Sequence, residues 1–479
     1  MNNRRTIFPD LCLLGLILVA YLALGSAYVL NTPLWQAPDE PAHFNYVRDL
    51  AEGRGFPVLQ MGDYDQQYLE RIMAAHFPPE MSIDRIRYES HQPPLYYLLE
   101  VPIYRALEGR PLAQQVVSLR IFSLLLGALL LTAVYRAVRR ILPGEQTLAV
   151  GVTALVAFIP QHLHVTGSIN NDILGELFLT VVLLLLLARM QPAARHLFVQ
   201  GPHPFAALRA GSKPLPKGEG TSSVSTAFLH MPSPAWGGGL TLGVALGLAL
   251  LVKDTAYVAV PLIPLGLALG DLLTGRVRWA RLALATAGVY AVALAISGWW
   301  FLRNMSVYGG LDIFGLARHG QVVVGQPRVG VFDGAAAGRF VTVGFQSFWA
   351  QFGWMGVPSD SRTYAVAGAL TLLAAAGLVI FLAREARVPS LSPYQRASLT
   401  LLAVAFLLVL AGVVHYNLEF IQPQGRYFYP ALLPTSLFAY LGLRQFMGRR
   451  PVLPTALLSL SLFILAAYNL WRVLIPGLR

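Results

Sequence analysis

The chain alternates between apolar runs of span length and shorter polar connections. A run of about 20 apolar residues is long enough to cross a bilayer as an α-helix. Eleven such runs lie at about 11–30, 116–138, 147–166, 173–190, 238–253, 255–274, 280–301, 363–383, 398–416, 428–444 and 452–472. The pattern predicts an all-α integral membrane protein with about eleven transmembrane helices. The first run follows Arg4 and Arg5, and we interpret it as an uncleaved first helix.

Polar stretches between the runs predict how the chain is divided. We expect a first transmembrane module at 1–190, a disordered cytoplasmic insertion at 191–237 and a second transmembrane module at 238–479. The insertion is rich in Pro, Gly and Ser, a composition that cannot bury a core. The modules carry long extracytoplasmic loops at 31–115 and 303–362. Within the first loop, the segment Pro93-Pro94-Leu95-Tyr96-Tyr97 predicts a helix at the membrane interface.

Composition agrees with a membrane protein and excludes several other classes. Of the 479 residues, 55% are hydrophobic and 13% are charged, whereas soluble domains carry about 25% charged residues. Soluble enzymes, coiled coils and disordered scaffolds are therefore excluded. The net charge of +12 does not indicate nucleic acid, because the basic residues flank apolar runs in small groups. Cys12 is the only cysteine, so an intrachain disulfide and a cysteine-based metal site are excluded.

The distribution of charge also predicts orientation. Basic residues gather at alternate connections, which places the N-terminus in the cytoplasm and both long loops and the C-terminus on the other side. The loop at 31–115 holds 12 of the 24 acidic residues. We therefore expect the chemistry of the protein in this extracytoplasmic loop.

The strongest polar motif is Asp39-Glu40 with His43, a few residues beyond the first apolar run. At the start of a short helix, these side chains can point into one pocket. The alternative is that an acid caps the helix that follows Pro41.

Two further motifs stand where apolar segments begin. His91 and Gln92 precede the proline pair and Tyr96, at the mouth of the predicted interfacial helix; the alternative is a set of interfacial belt residues. Asn171 and Asp172 lie at the outer end of the fourth run, where a carboxylate is costly unless it faces a polar cavity. A turn with Asp172 as helix cap is the competing interpretation.

Three cations complete the candidate set: Lys253, Arg303 and Arg426, the last followed by Tyr427. Each stands at the boundary of an apolar run, where a long basic side chain can simply reach towards water. Arg426 fits this explanation least, because it lies on a short outer connection against the positive-inside pattern. A guanidinium is well matched to a pair of phosphate oxygens.

Taken together, these motifs resemble the GT-C membrane glycosyltransferases. The nearest branch contains protein O-mannosyltransferases and aminoarabinose transferases, and within it especially a bacterial group of uncharacterised predicted membrane proteins. The resemblance covers nearly the full chain apart from the insertion. Its segments are Asp39-Glu40, His91-Gln92-Pro93-Pro94-Leu95-Tyr96-Tyr97, Asn171-Asp172, Ser347-Phe348-Trp349-Ala350-Gln351-Phe352-Gly353-Trp354 and Gln424-Gly425-Arg426-Tyr427.

The resemblance implies an inverting glycosyltransferase of the bacterial cytoplasmic membrane. It would move a sugar from a polyprenyl-phosphate donor to an extracytoplasmic glycan, lipid or protein. Asp39 matches the family's first-loop acid and would be the general base, with Glu40 positioning Asp39 or the acceptor. Arg426, then Lys253, then Arg303 would stabilise the leaving phosphate. Asp172 would bind acceptor or sugar, and the remaining substrate-binding residues would be His43, His91, Gln92, Tyr96, Asn171 and Tyr427.

The chain departs from the aminoarabinose transferases before the proline pair. They carry an acid and a phosphate-binding lysine there, whereas this chain has His91 and Gln92, so we expect His91 to bind the donor or a cation. The mannosyltransferase kin require no metal, whereas oligosaccharyltransferases use one, so no cofactor is expected with certainty and a divalent metal ion stays an open alternative. Asp63-Tyr64-Asp65 has a metal-like spacing but lies too far along the loop, and we interpret it as solvated.

Two other classes of function remain as alternatives. A transporter or flippase of lipid-linked glycans would place ionisable groups and broken helices near the bilayer midplane, and the runs here are nearly free of charge at their centres. A non-catalytic membrane scaffold would keep the acid pair as a cap. The expected partners are the lipid-linked donor, the acceptor and membrane lipids, and no nucleic acid.

Overall fold

The computed structural model describes residues 7–198, 237–328 and 333–479. Most of the insertion predicted at 191–237 lies outside these residues. The α-helices run in chain order as α1 Ile7–Asn31, α2 Glu40–Ala51, α3 Gln66–Ala74, α4 Leu95–Ala106, α5 Leu112–Ile141, α6 Gln146–Ala157, α7 Pro160–Thr166, α8 Asp172–Phe198, α9 Gly237–Leu250, α10 Ala259–Leu272, α11 Trp279–Tyr308, α12 Leu316–Val322, α13 Gly334–Trp349, α14 Ser361–Arg387, α15 Pro393–Glu419, α16 Leu432–Leu443, α17 Val452–Asn469 and α18 Ile475–Leu478. Strands β1 Gln351–Phe352 and β2 Val357–Pro358 form one small antiparallel ladder.

The all-α membrane fold is confirmed. Among the described residues, eight helices are long and apolar enough to cross a membrane, or nine if one bent pair is a single span. That pair is α6 and α7, which meet at 64°. Pro160 begins α7 and has no amide hydrogen to continue the ladder of α6, so the chain turns there.

Two of the eleven predicted spans are shorter than the apolar runs suggest. The run at 238–253 is helical only in α9, which has 14 residues. The run at 428–444 begins in a 3-10 helix, Gly425–Ala431, and continues as the 12-residue α16. Each short α-helix is therefore adjoined by backbone that is not α-helical and carries a basic residue, Lys253 after α9 and Arg426 before α16.

The connection at 31–115 is built from short helices that pack on one another. It contains α2, α3, the 3-10 turn Tyr88–His91 and α4. The amide of Leu95 at the start of α4 donates to the carbonyl of Leu251 beyond α9 at 2.8 Å. This bond fixes the proline-rich start of α4 beside the segment that carries Lys253.

The segment that carries Arg426 is held by close backbone packing. The amide of Gly425 donates to Ser347 Oγ at 2.7 Å. A Cβ atom at position 425 would collide with the backbone of Gly344 and Phe348 in α13, so only glycine fits here. The 3-10 helix Gly425–Ala431 thereby packs tightly against α13, and the direction of the Arg426 side chain is set.

Candidate active site

Asp39 immediately precedes α2 in a backbone conformation that few residues other than glycine adopt. Its φ is 66° and its ψ is −7°, in the left-handed region. Its carbonyl accepts from the amides of Ala42 and His43, but its side chain does not cap the helix. The cap alternative is therefore wrong for Asp39. Strained backbone of this kind is retained where the surrounding structure fixes it, often at functional sites.

The Asp39 carboxylate turns instead toward two distant residues. Tyr88 donates its hydroxyl to Oδ1 at 2.7 Å, and Arg426 forms an ion pair with Oδ2 through Nη2. Burial on its own would raise the pKa of Asp39, but the Arg426 guanidinium outweighs it and holds the pKa at about 2. Asp39 is therefore ionised at neutral pH.

A second ion pair joins Lys253 and Asp172. Lys253 Nζ lies 2.5 Å from Asp172 Oδ1, and both side chains are 14% exposed. Asn170 Oδ1 accepts from the backbone amide of Asp172 at 2.8 Å. The neighbouring Asn171 donates to Gln92 Oε1 at 3.4 Å and to the carbonyl of Val252 at 3.1 Å.

His43 connects the two ion pairs electrostatically. Its side chain is buried, and its Nδ1 lies 2.9 Å from the hydroxyl of Tyr97. Burial lowers the pKa of His43 to about 3, with Lys253 acting in the same direction and Asp39 and Asp172 opposing it. The neutral imidazole therefore lies within the field of both pairs, which form one cluster.

Several buried polar atoms of this cluster have no hydrogen-bond partner within the described ranges. They are His43 Nε2, Glu89 Oε2, Asn171 Oδ1 and Arg426 Nη1. Buried polar groups are usually paired, so each exception calls for an explanation. Asp39 is 19% exposed beside Arg426 at 6%, so the cluster is not fully enclosed. Free donors and acceptors of this kind suit a polar substrate.

Glu40 faces away from this cluster. Arg120 of α5 donates to both of its carboxylate oxygens, at 2.7 and 2.6 Å, and both side chains are fully buried. The amides of Trp35 and Ile169 also donate to Glu40. The adjacent acids thus have separate surroundings, and Glu40 anchors the start of α2 to α5.

Three other predicted residues, Tyr427, His91 and Tyr96, contact residues around the Asp39–Arg426 pair or deeper in the fold. Tyr427 packs its ring under the Arg426 guanidinium at 5.4 Å, and His91 Nδ1 lies 3.0 Å from the carbonyl of Tyr88. The Tyr96 hydroxyl bonds Glu100 at 2.8 Å and Ser123 at 2.7 Å, and accepts from the amide of Asn170.

Arg303 contacts a different part of the first loop. It donates to the carbonyls of Phe56 and Pro57, at 3.2 and 2.6 Å, and stacks over Trp300 at 4.7 Å. These contacts do not bring it to Asp39, so we rank it behind Arg426 and Lys253 as a phosphate ligand.

Three important residues were missed at the sequence level: Tyr88, Glu89 and Arg120. Arg120 had a detectable signal, because a lone arginine inside an apolar run requires a buried partner. Tyr88 and Glu89 had no such signal, since a tyrosine and a glutamate are ordinary in a polar loop.

A further buried pair lies outside the Asp39 cluster. His162 Nε2 of α7 lies 3.0 Å from Glu176 Oε2 of α8.

The possible metal ligands in the first loop have other partners. Asp65 caps α3 by accepting from the amide of Tyr68 at 2.9 Å, and Asp63 accepts from the amide of Gln60 at 2.7 Å. In the part of the chain that the structure covers, no group of three or more His, Cys, Asp or Glu side chains could hold a metal ion.

Comparison with known proteins identifies the fold. No protein-family model matches the sequence. No curated protein matches it either. The apo oligosaccharyltransferase of Archaeoglobus fulgidus is similar with a TM-score of 0.52 and 14% identity, over 98% of this chain and 56% of that one. The same values describe the Archaeoglobus fulgidus AglB complex with an inhibitory peptide and a dolichol-phosphate.

ArnT from Cupriavidus metallidurans bound to undecaprenyl phosphate is similar with a TM-score of 0.49 and 16% identity, over 97% of this chain and 73% of that one. The chain spans little more than half the length of the oligosaccharyltransferase. At 14% identity, the likeness to that enzyme is one of fold, and it agrees with the fold that the sequence motifs predict.

Proposed function

We propose that this chain, which shares the GT-C fold of membrane glycosyltransferases, transfers a sugar from a polyprenyl-phosphate donor to an acceptor hydroxyl with inversion. The observation that carries the proposal is the pairing of Asp39 with Arg426 across 387 residues, beside the pair of Asp172 and Lys253. A carboxylate and two cations in one partly open cluster supply a base and a phosphate site. The AglB structure that contains a dolichol-phosphate supports a donor of this class.

The reaction assigns a separate task to each charge. Asp39 accepts the proton of the acceptor hydroxyl, the acceptor oxygen bonds the anomeric carbon, and the bond from that carbon to the phosphate oxygen breaks. The electron pair leaves on the phosphate. Arg426 can bind this phosphate without releasing Asp39, because Nη2 holds Asp39 while Nη1 has no partner among the described residues. Lys253 adds a second positive charge.

Orientation follows from charge. We place the N-terminus in the cytoplasm, and the Asp39 cluster and the C-terminus on the outer side of a bacterial cytoplasmic membrane, because the basic residues flank alternate connections. The acceptor would then be an extracytoplasmic glycan, lipid or protein.

The test is acceptor-dependent release of undecaprenyl phosphate by the full-length protein in nanodiscs. A panel of undecaprenyl-phosphate monosaccharides serves as donor and a membrane glycan extract as acceptor. Asp39→Asn should lower turnover by about two to four orders of magnitude, as expected for a lost general base. The matched control is Asp84→Asn, since Asp84 is an exposed acid of the same loop. Equal release by the parent and Asp39→Asn would refute the assignment of the base.

A second candidate is movement of a lipid-linked glycan across the membrane. The observation in its favour is the break between α6 and α7, with the buried His162–Glu176 pair directly beyond it. Transport of a fluorescent polyprenyl-phosphate sugar across liposomes, with no acceptor and no release of lipid phosphate, would favour it over transfer.

A further inference from the structure

The 3-10 turn Tyr88–His91 carries a second carboxyl group into the site. Tyr88 at its start bonds Asp39, and Gln92 just beyond its end accepts from Asn171. Glu89 stands between these two contacts. The carboxyl oxygen Oε2 of Glu89 is a buried atom without a hydrogen-bond partner in the described parts of the chain.

Glu89 differs from the other two acids of the site because no Lys or Arg among residues 7–198, 237–328 and 333–479 forms an ion pair with it. Asp39 is paired with Arg426, and Asp172 with Lys253. The Glu89 carboxyl instead has one buried oxygen, Oε2, without a hydrogen-bond partner in the described ranges. A carboxyl group in this position can gain or lose a proton without breaking an ion pair.

Charged and titratable groups face Glu89 from every surrounding element. They are Tyr88 in the same turn, Asp39 before α2, Tyr97 in α4, Asp172 at the start of α8, Lys253 after α9 and Tyr416 in α15. Burial, followed by the negative charge of Asp39, raises the pKa of Glu89 to about 7, while Lys253 opposes the rise.

The proposed transfer releases a proton inside this site. A polyprenyl-phosphate sugar is a phosphodiester with one negative charge, and its departure as a monoester adds a second negative charge. The acceptor hydroxyl supplies the proton that balances it. Asp39, with its pKa held at about 2, passes a proton on readily and keeps it poorly.

We propose that Glu89 holds the proton that Asp39 removes from the acceptor, an inference that rests on the proposed function. The acceptor O–H bond breaks, its oxygen bonds the anomeric carbon, and the carbon–phosphate oxygen bond breaks with its electron pair on the phosphate. The proton ends on the Glu89 carboxylate, beside the new phosphate charge. It leaves to water when the lipid phosphate departs.

The first test needs no turnover. Binding of undecaprenyl phosphate to the full-length protein in nanodiscs is measured by calorimetry at pH 8, in two buffers of different ionisation enthalpy. The bound phosphate charge should draw on the order of one proton onto Glu89. Glu89→Gln should take up fewer protons by that amount, and Glu89→Asp should restore the uptake. The control is Glu80→Gln, an exposed position in the same loop, which should match the parent.

The outcomes separate this inference from the proposed function. Lipid binding with equal proton uptake by the parent and Glu89→Gln overturns the role of Glu89 and leaves the transferase proposal standing. Failure of the parent to bind the lipid phosphate overturns both.

The second test uses the pH dependence of transfer. Glu89 must be deprotonated to receive the proton, so the parent kcat should rise as pH increases through about 7 and then level off. Glu89→Gln should lose that inflection while the donor KM changes less than kcat. An inflection that persists in Glu89→Gln would overturn the inference.

Discussion

Replacing Arg120 by methionine should destabilise the whole molecule. The Arg120 guanidinium donates to Glu40 at 2.7 and 2.6 Å and to three carbonyls, those of Val29, Thr32 and Pro33, at 3.1, 2.7 and 3.0 Å. Both charged side chains are fully buried. Removing one partner of such a pair leaves an uncompensated buried charge and costs about 3–5 kcal/mol.

The assay is guanidinium-induced unfolding of the purified full-length protein in detergent, followed by tryptophan fluorescence. Arg120→Met should lower the free energy of unfolding by about 3–5 kcal/mol. The control Arg136→Met lies on the same helix at an exposed position and should change it by less than about 0.5 kcal/mol. The double variant Arg120→Met with Glu40→Gln should lose less than the sum of the single variants, because no charge is then left unpaired.

One result would refute this reasoning. If Arg120→Met unfolds at the same denaturant concentration as the parent yet loses transfer activity, the Glu40–Arg120 pair belongs to the chemistry and not to the framework.

Other expectations follow from the same contacts. Arg426→Ala should weaken undecaprenyl phosphate binding by about 10- to 100-fold, as for loss of a hydrogen bond to a charged group. Arg426→Lys should recover only part of the lost affinity. An unchanged calorimetric affinity in Arg426→Ala would move the phosphate role to Lys253. Because the pKa of Asp39 is lowered to about 2, its ion pair contributes stability that is complete above pH about 4 and lost as pH falls through 2. Glu89, whose pKa is about 7 beside Asp39, also titrates in this range, so the comparison is made in a Glu89→Gln background. There the melting-temperature difference caused by Asp39→Asn should be constant from pH 5 to 8, and a difference that shrinks across that range would show that Asp39 titrates there. Removing residues 201–234 should leave transfer almost unchanged, and a folded but inactive deletion would contradict this.

The long spans could be predicted from the sequence because apolar length alone decides them. α5 and α15 occupy the apolar runs from which they were predicted. The broken pair α6 and α7 was predicted as one span, because the apolar run continues through Pro160 although the backbone ladder does not. Hydropathy measures what a bilayer tolerates and does not register a missing amide hydrogen.

Individual site residues were easier to predict than their partners. Asp39 and Arg426 stood out as polar residues at the ends of apolar runs, but nothing in the sequence pairs positions 387 apart. Glu40 was grouped with Asp39 because the two are adjacent. The left-handed backbone at Asp39 and the helix that starts at Glu40 turn the neighbouring side chains toward different surroundings. The direction of each side chain, and not its position along the chain, decides that Asp39 pairs with Arg426 and Glu40 with Arg120.

The pairing of Asp39 with Arg426 has a consequence for synthesis of the protein. Asp39 emerges from the ribosome early, whereas Arg426 follows only after α15. Until then the Asp39 carboxylate lacks its counter-charge, and the proposed phosphate site has Lys253 but not Arg426. A nascent or truncated chain that ends before the 3-10 helix Gly425–Ala431 cannot form the Asp39–Arg426 ion pair. The proposed site is therefore assembled only after the 3-10 helix Gly425–Ala431 has been synthesised.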